Sequence, residues 1–232
     1  MPMTSNDHTT TNTNPVTANT KHPTATITDN KVLACVDRSR FAAYVADYAA
    51  WAARRMNAPL EFLHVIDHHP EIGRSADHSG AIGIDAQEKL LSKLASEDEV
   101  RIRRLREEGR LFLNDLRKRA LANGVELVDV RQRHGGLLET VAGQERGVRL
   151  LVLGRRGESA EAAQGAEPDK RAGSNEPILG SNLEQLVRAV RRPVLAVTQD
   201  FVEPRRVMIA FDNSAVTRRG VEMVASSPLF RG

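Results

Sequence analysis

The chain has 232 residues, 33 basic and 30 acidic, so its formal net charge is only +3 although its pI is near 9.3. So small a surplus argues against the concentrated basic face of a duplex-binding protein, and no apolar run reaches the ~18 residues of a membrane span. A single cysteine excludes an intramolecular disulfide and a cysteine-based zinc site.

Residues 1–30 are dominated by Thr and Asn and hold one Ile and one Val. Such a segment cannot bury enough apolar area to offset its ordering entropy, which predicts a disordered tail. It lacks the charged start and apolar stretch of a secretory signal, so a soluble cytoplasmic protein is expected. Val32-Leu33-Ala34-Cys35-Val36 is a continuous apolar run ending at Asp37, as in a strand buried on both faces. Phe41 to Met56 reads as an Ala-rich helix stopped by Asn57-Ala58-Pro59. Leu60 to Ile66 is a second strand, and Asp67 to Ile84, with Pro70, Gly73, Gly80 and Gly83, is a loop.

Asp85 to Ala122 is a long helical stretch, with a break expected near Ser96 and closure at Asn123-Gly124. Val125 to Val130 is a more polar strand, suited to a sheet edge. Leu137 to Arg146 is helical up to Gly147. Leu150 to Leu153 is a buried strand ending at Gly154, and Leu183, Leu186, Val187 and Val190 mark an amphipathic helix. Pro193 to Val197 is a fifth strand. Strict alternation of strand and helix predicts an α/β fold, a doubly wound five-stranded parallel sheet with helices on both faces, over residues 31–198.

The opening unit recurs. Lys31-Val-Leu-Ala-Cys-Val-Asp37-Arg-Ser39 aligns with Arg206-Val-Met-Ile-Ala-Phe-Asp212-Asn-Ser214. Each is basic, then five apolar residues, then Asp-x-Ser, then a helix (Phe41 to Met56 and Val216 to Ala225). An internal repeat is the reading: a linker over 199–205, then the start of a second, incomplete unit over 206–232.

In a doubly wound sheet, ligands bind beyond the carboxyl ends of the strands where the strand order reverses. Asp37 ends the first strand, Gly154-Arg155-Arg156-Gly157 follows the fourth, and Gly180-Ser181-Asn182 opens a helix. Glycines admit a phosphate to the backbone, and a helix N-terminus presents free N–H groups to an anion. A ligand-free alternative stands beside this: Ser181 and Glu184 have the spacing of a capping box.

These pieces together resemble the universal stress protein family. The resemblance is carried by Val32 to Asp37 with Ser39, Phe62-Leu63-His64-Val65, Leu151 to Gly157, Leu179-Gly180-Ser181, and Arg192 to Val197. It implies strand order 3-2-1-4-5, which puts Asp37 and Gly154 on adjacent strands. It also implies the Gly-x2-Gly-x9-Gly-Ser/Thr signature for ATP, taken alone or with Mg2+, which Gly154, Gly157, Gly180 and Ser181 match. By the same resemblance Asp37 lies near the nucleoside and the backbone of Val65 meets the adenine edge. Arg155 fills the variable pair with Arg156, and Asn182 follows Ser181 at the helix start. The sequence departs in one respect: 22 residues, 158–179, separate Gly157 from Gly180 where the signature has nine. They are polar, which predicts a flexible excursion, and loop length adds little to the entropy of closure. Family members pair through the fifth strand, so a homodimer of tandem type is expected.

His64, His68 and His69 flank Asp67, yet no carboxylate or thiol set completes a metal site. Arg101, Arg103, Arg104, Arg106 and Arg110 alternate with acidic residues as a solvated mixed-charge face, and aromatics at 4% argue against nucleic-acid stacking. Cys35 and Trp51 read as buried packing. There is no P-loop, no Gly-x-Gly-x-x-Gly after the first strand and no Gly-x-Ser-x-Gly elbow. Three readings remain: a stress-response protein binding ATP or a related adenine nucleotide as a regulatory ligand, a member that acts through dimerisation without nucleotide, or a weak ATPase.

Overall fold

The structure is a computed structural model that describes residues 30–66, 84–157 and 180–231. The expected tail over 1–29, most of the expected loop (67–83) and the expected excursion over 158–179 lie outside the described residues. In chain order the elements are β1 (Lys31–Cys35), α1 (Ala42–Met56), β2 (Leu60–Ile66), α2 (Ile84–Ala122), β3 (Val128–His134), α3 (Leu137–Ala142) and β4 (Val148–Gly154). Then come α4 (Ser181–Ala189), β5 (Val194–Val197) and α5 (Ala215–Ser226). All pairings are parallel and the order is β3-β2-β1-β4-β5, as the resemblance implied.

The alternation along β1 splits the core in two. Val32, Ala34 and Val36 pack with Phe62, Val152 and the alanines of α1, while Leu33 and Cys35 pack with Leu63, Leu151, Leu153, Leu183 and Leu186. Both faces of the central strands are therefore covered, as a parallel sheet requires. Six alanines of α1 are buried, and their small side chains let the helix lie close to the sheet. The helix stops where Asn57 turns left-handed at φ 46°, its N–H bonded back to Ala53 and Arg54.

Several boundaries move from the sequence expectation. The third strand runs from Val128 to His134 and not from Val125 to Val130. Val125 is buried, but its N–H closes the end of α2 on the Ala120 carbonyl at 3.1 Å. The strand register is set instead by the seven residues of β2, Leu60 facing Val128 and Ile66 facing His134. The third helix ends at Ala142, and a 3₁₀ turn over Glu145–Gly147 replaces the rest of the expected Leu137–Arg146 helix. α2 is not broken near Ser96, whose hydroxyl bonds to the Lys93 carbonyl within the helix.

A charged cluster is buried at the amino ends of the strands. The Lys31 ammonium, 3% exposed, donates to Glu61 at 2.9 Å and to Gln144 at 3.1 Å. Arg131 reaches the same Glu61 oxygen at 3.3 Å, while the other oxygen, Oε1, is buried without a hydrogen-bond partner among the described residues.

After β5 the chain folds back over α1. Phe201 meets Tyr48 edge-on at 4.9 Å, the Trp51 indole N–H donates to Glu203 at 3.3 Å, and Leu229 is buried in the α1 core. Arg55 donates to the Leu229 carbonyl at 3.3 Å. Between these anchors α5 forms, with Ser214 as its N-cap, and none of its residues is buried. Residues 201–211 carry no regular structure, so the strand expected over 207–211 is not formed. The repeat does recur locally: the Ser39 N–H donates to Asp37 at 3.1 Å, and the Ser214 N–H donates to Asp212 at 2.9 Å. No helix among the described residues is long and apolar enough to cross a membrane.

Candidate functional site

The strand order reverses between β1 and β4, and the carboxyl ends of these two strands meet there. Cys35 faces Leu153 in the register, so Asp37 and the Gly154–Gly157 turn follow side by side. β4 continues one bond further, the Arg155 N–H donating to the Val197 carbonyl at 2.8 Å. The Arg155 carbonyl then accepts from the Gly180 N–H at 3.0 Å. Although 22 residues separate Gly157 from Gly180, the start of α4 is fastened directly to the β4 turn.

Close approach explains each glycine. A Cβ on Gly154 would lie 2.8 Å from the Arg156 carbonyl oxygen, and one on Gly180 would lie 3.1 Å from that of Arg155. On Gly157 a Cβ would run into the Asp37 carboxylate. The three backbone stretches therefore form a tight cradle that side chains would fill.

The cradle meets the start of a helix. Gly180, in extended conformation, is the N-cap of α4, and among the described residues no side chain caps the helix. The capping box suggested by Ser181 and Glu184 is not formed, because Ser181 is already inside the helix. Ser181 and Asn182 are exposed there. The first N–H groups of a helix carry the positive end of its dipole and suit an anion. Arg155 and Arg156 are half-buried in the turn. Val65, one residue before the end of β2, is half-buried and pairs with Arg133 of β3.

Three features were not foreseen from the sequence. Arg38, next to Asp37, bonds Glu108 of α2 at 2.7 Å, and Glu108 also takes Arg104 at 2.7 Å. These two cations, Arg104 first, hold the Glu108 carboxyl below the usual carboxylate range. His64 bonds through Nδ1 to the Val36 carbonyl at 3.0 Å. A carbonyl only accepts, so Nδ1 carries the proton and β2 is tied to the residue before Asp37. The ring packs edge-on against Phe112 at 5.6 Å, and α2 approaches it at Gly109. The Ser39 hydroxyl is buried beside Asp37 with no hydrogen-bond partner among the described residues. No signal in the sequence links positions 38 and 108; only the spatial neighbourhood does.

The chain is similar to several known proteins. The universal stress protein Slr1230 of Synechocystis sp. is 29% identical over 199 residues, 85% of this chain. The chain spans only 65% of that relative's length. Among solved structures, hypothetical protein MJ0577 is 19% identical with a TM-score of 0.49, covering 75% of this chain and 99% of its own. A universal stress protein from Archaeoglobus fulgidus, solved in complex with dAMP, is 16% identical with a TM-score of 0.40, covering 73% and 98%. Residues 30–198 match the universal stress protein family. That match spans well over half of the chain, and the chain belongs to the universal stress protein family.

Proposed function

We infer that this chain binds an adenine nucleotide, with ATP as the working ligand and Mg2+ arriving with its phosphates, and that occupancy regulates rather than feeds a reaction. One observation carries the reading: the Gly180 N–H at the start of α4 is bonded to Arg155, which brings Gly180 to the Gly154–Gly157 turn, where Asp37 lies against Gly157, and we read this cradle as the hollow that takes the phosphates. In this reading the N–H groups of Gly157, Ser181 and Asn182 and the Arg155 guanidinium hold phosphates. The Gly154 and Gly180 backbones admit them. Asp37 faces the ribose, and the Val65 backbone meets the adenine edge. No side chain of the hollow is assigned as a catalytic base, which makes a regulatory ligand a better fit than a turnover substrate.

The same reading takes the chain as a cytoplasmic stress-response protein of tandem type. A domain over residues 31–198 is followed by a second unit that opens at Arg206, and the matching turns at Asp37 and Asp212 support this. Copies pair through the fifth strand. The test is equilibrium dialysis of the purified full chain against labelled ATP, with and without Mg2+. Saturable binding that is lost in Gly157→Val is expected; absence of saturable binding by the wild type overturns the reading.

A further inference from the structure

In a central strand the N–H and C=O groups of successive residues point alternately to the two neighbouring strands. In β2 and the residue before it, the odd positions face β1: Val32 donates to the Pro59 carbonyl at 2.8 Å, and Val36 to the Leu63 carbonyl at 2.9 Å. The even positions face β3: Leu60 donates to the Leu127 carbonyl at 2.9 Å, and Ile66 accepts from Gly135 at 3.2 Å. The Val65 N–H and C=O therefore point toward β1, whose last paired residue is Cys35, opposite Leu63.

The next rung of that ladder would run from the Val65 N–H to the Val36 carbonyl. That carbonyl accepts instead from His64 Nδ1 at 3.0 Å, and no described residue bonds either backbone group of Val65. Beyond Val36 the chain leaves the sheet, and the Ser39 N–H turns back to Asp37. The end of β2 thus holds a donor and an acceptor side by side, directed to the place where β1 gives way to Asp37.

The ring that takes the carbonyl is held from α2. It is 6% exposed, and Phe112 meets it edge-on at 5.6 Å. Gly109 lets the helix lie over it: a Cβ there would come 3.2 Å from the ring's Cδ2 and would strike the Gln132 amide. The imidazole therefore approaches Val36 from the α2 face of the sheet, where no backbone N–H of β2 competes for the carbonyl.

Adenine presents an amino donor beside a ring-nitrogen acceptor, which matches a C=O beside an N–H. Guanine presents an oxygen acceptor beside an N–H donor, the opposite order. We propose that His64 is a positioning residue that sets base selectivity: by engaging the Val36 carbonyl it keeps the β1–β2 ladder one rung short, and it so reserves the Val65 N–H and C=O for the edge of the base. The selectivity rests on the adenine reading above, whereas the open rung belongs to the ligand-free chain.

Amide hydrogen exchange by NMR on the full chain without ligand tests the rung. The Val65 N–H of the wild type is expected to exchange about tenfold or more faster than that of Leu63. His64→Phe fills the same space without a donor and is expected to slow Val65 by a similar factor, as the Val36 carbonyl closes the rung. A wild-type Val65 as protected as Leu63 overturns the proposal, and so does a Val65 rate unchanged in His64→Phe. Labelled ATP and GTP, titrated into the same samples, test the selectivity. The wild type is expected to bind ATP about tenfold or more tightly than GTP. His64→Phe is expected to lose that preference, and His64→Asn, whose amide N–H can stand in for Nδ1–H, to keep most of it. A preference retained in His64→Phe overturns the proposal and leaves the adenine reading standing. A wild type that binds neither nucleotide overturns the adenine reading and the selectivity together.

Discussion

The Asp37 carboxylate occupies the space that any side chain at position 157 would need. The acidic residue just after the first strand and a side chain at the second glycine of the β4 turn are thus mutually exclusive in volume, and Gly157→Val must displace the carboxylate or the turn. The expected outcome is a loss of ATP affinity of about tenfold or more, roughly 1.4 kcal/mol or above, measured by titration calorimetry. Asp37→Ala frees the space without refilling it, so the double variant Asp37→Ala/Gly157→Ala is expected to fold as well as Asp37→Ala alone in urea denaturation. Unchanged affinity in Gly157→Val would separate the turn from ligand binding.

Glu61 is fully buried, with Lys31 and Arg131 as its cationic partners. Removing one member of a buried pair strands the other's charge, a loss of about 3–5 kcal/mol. Glu61→Ala is therefore expected to lower unfolding free energy by about this amount in urea titration. Replacing Lys31→Met together with Glu61→Leu recovers most of it, because the charge left behind, Arg131, is partly exposed and not fully buried. A double variant as unstable as Glu61→Ala would show that Arg131 dominates the cluster.

Cys35 is buried, and burial first, with the nearby Glu61 charge second, pushes its thiol up to about 12 from 9.0. The folded chain holds this proton more tightly than the unfolded chain. Its contribution to stability is full below pH ~9 and is lost as pH rises toward 12. Stability measured by chemical denaturation should thus decline above pH ~9, and Cys35→Ala should flatten that decline. The native thiol should also resist a disulfide reagent at pH 8 and react fully once unfolded. Rapid reaction of the folded protein would contradict its burial.

Asp212 is held down to about 2 by hydrogen bonds from Thr217 first and then Ser214. A depressed carboxyl stabilises the folded turn at pH values above its unfolded value, and the contribution is lost as pH falls through about 2. The turn opens α5, so the resonances of α5 should report this acid transition by NMR. Thr217→Val should raise the Asp212 midpoint toward the ordinary 3.8. An unmoved midpoint would show that the Thr217 hydroxyl is not its principal donor.

Much of the fold could be read from the chain because each buried strand announces itself as an apolar run between a basic start and an Asp or Gly stop. β1 and β4 are such runs, whereas β2 is marked off by Pro59 and Asp67 and carries Glu61 and His64 within it. β3 was misplaced because Val125 is apolar for a different reason, the closure of α2, whereas the strand proper alternates charge with apolar residues at the edge. The 207–211 run reads as a strand from its alignment with β1, the Asp-x-Ser that follows and the helix after it; a strand needs a neighbour to bond to, and no described residue supplies one. In the site, Asp37 and the glycines were legible because close approach demands Gly. The Arg38–Glu108 bond and the orphaned Ser39 hydroxyl were not, since they arise from elements far apart in sequence that only the packing of α2 brings together.

The chain has one tryptophan, and Trp51 lies where the returning segment crosses α1, beside Phe201, Phe230 and the Glu203 carboxylate. Its indole emission is thus a native gauge of whether that segment is seated or released, and it needs no attached dye.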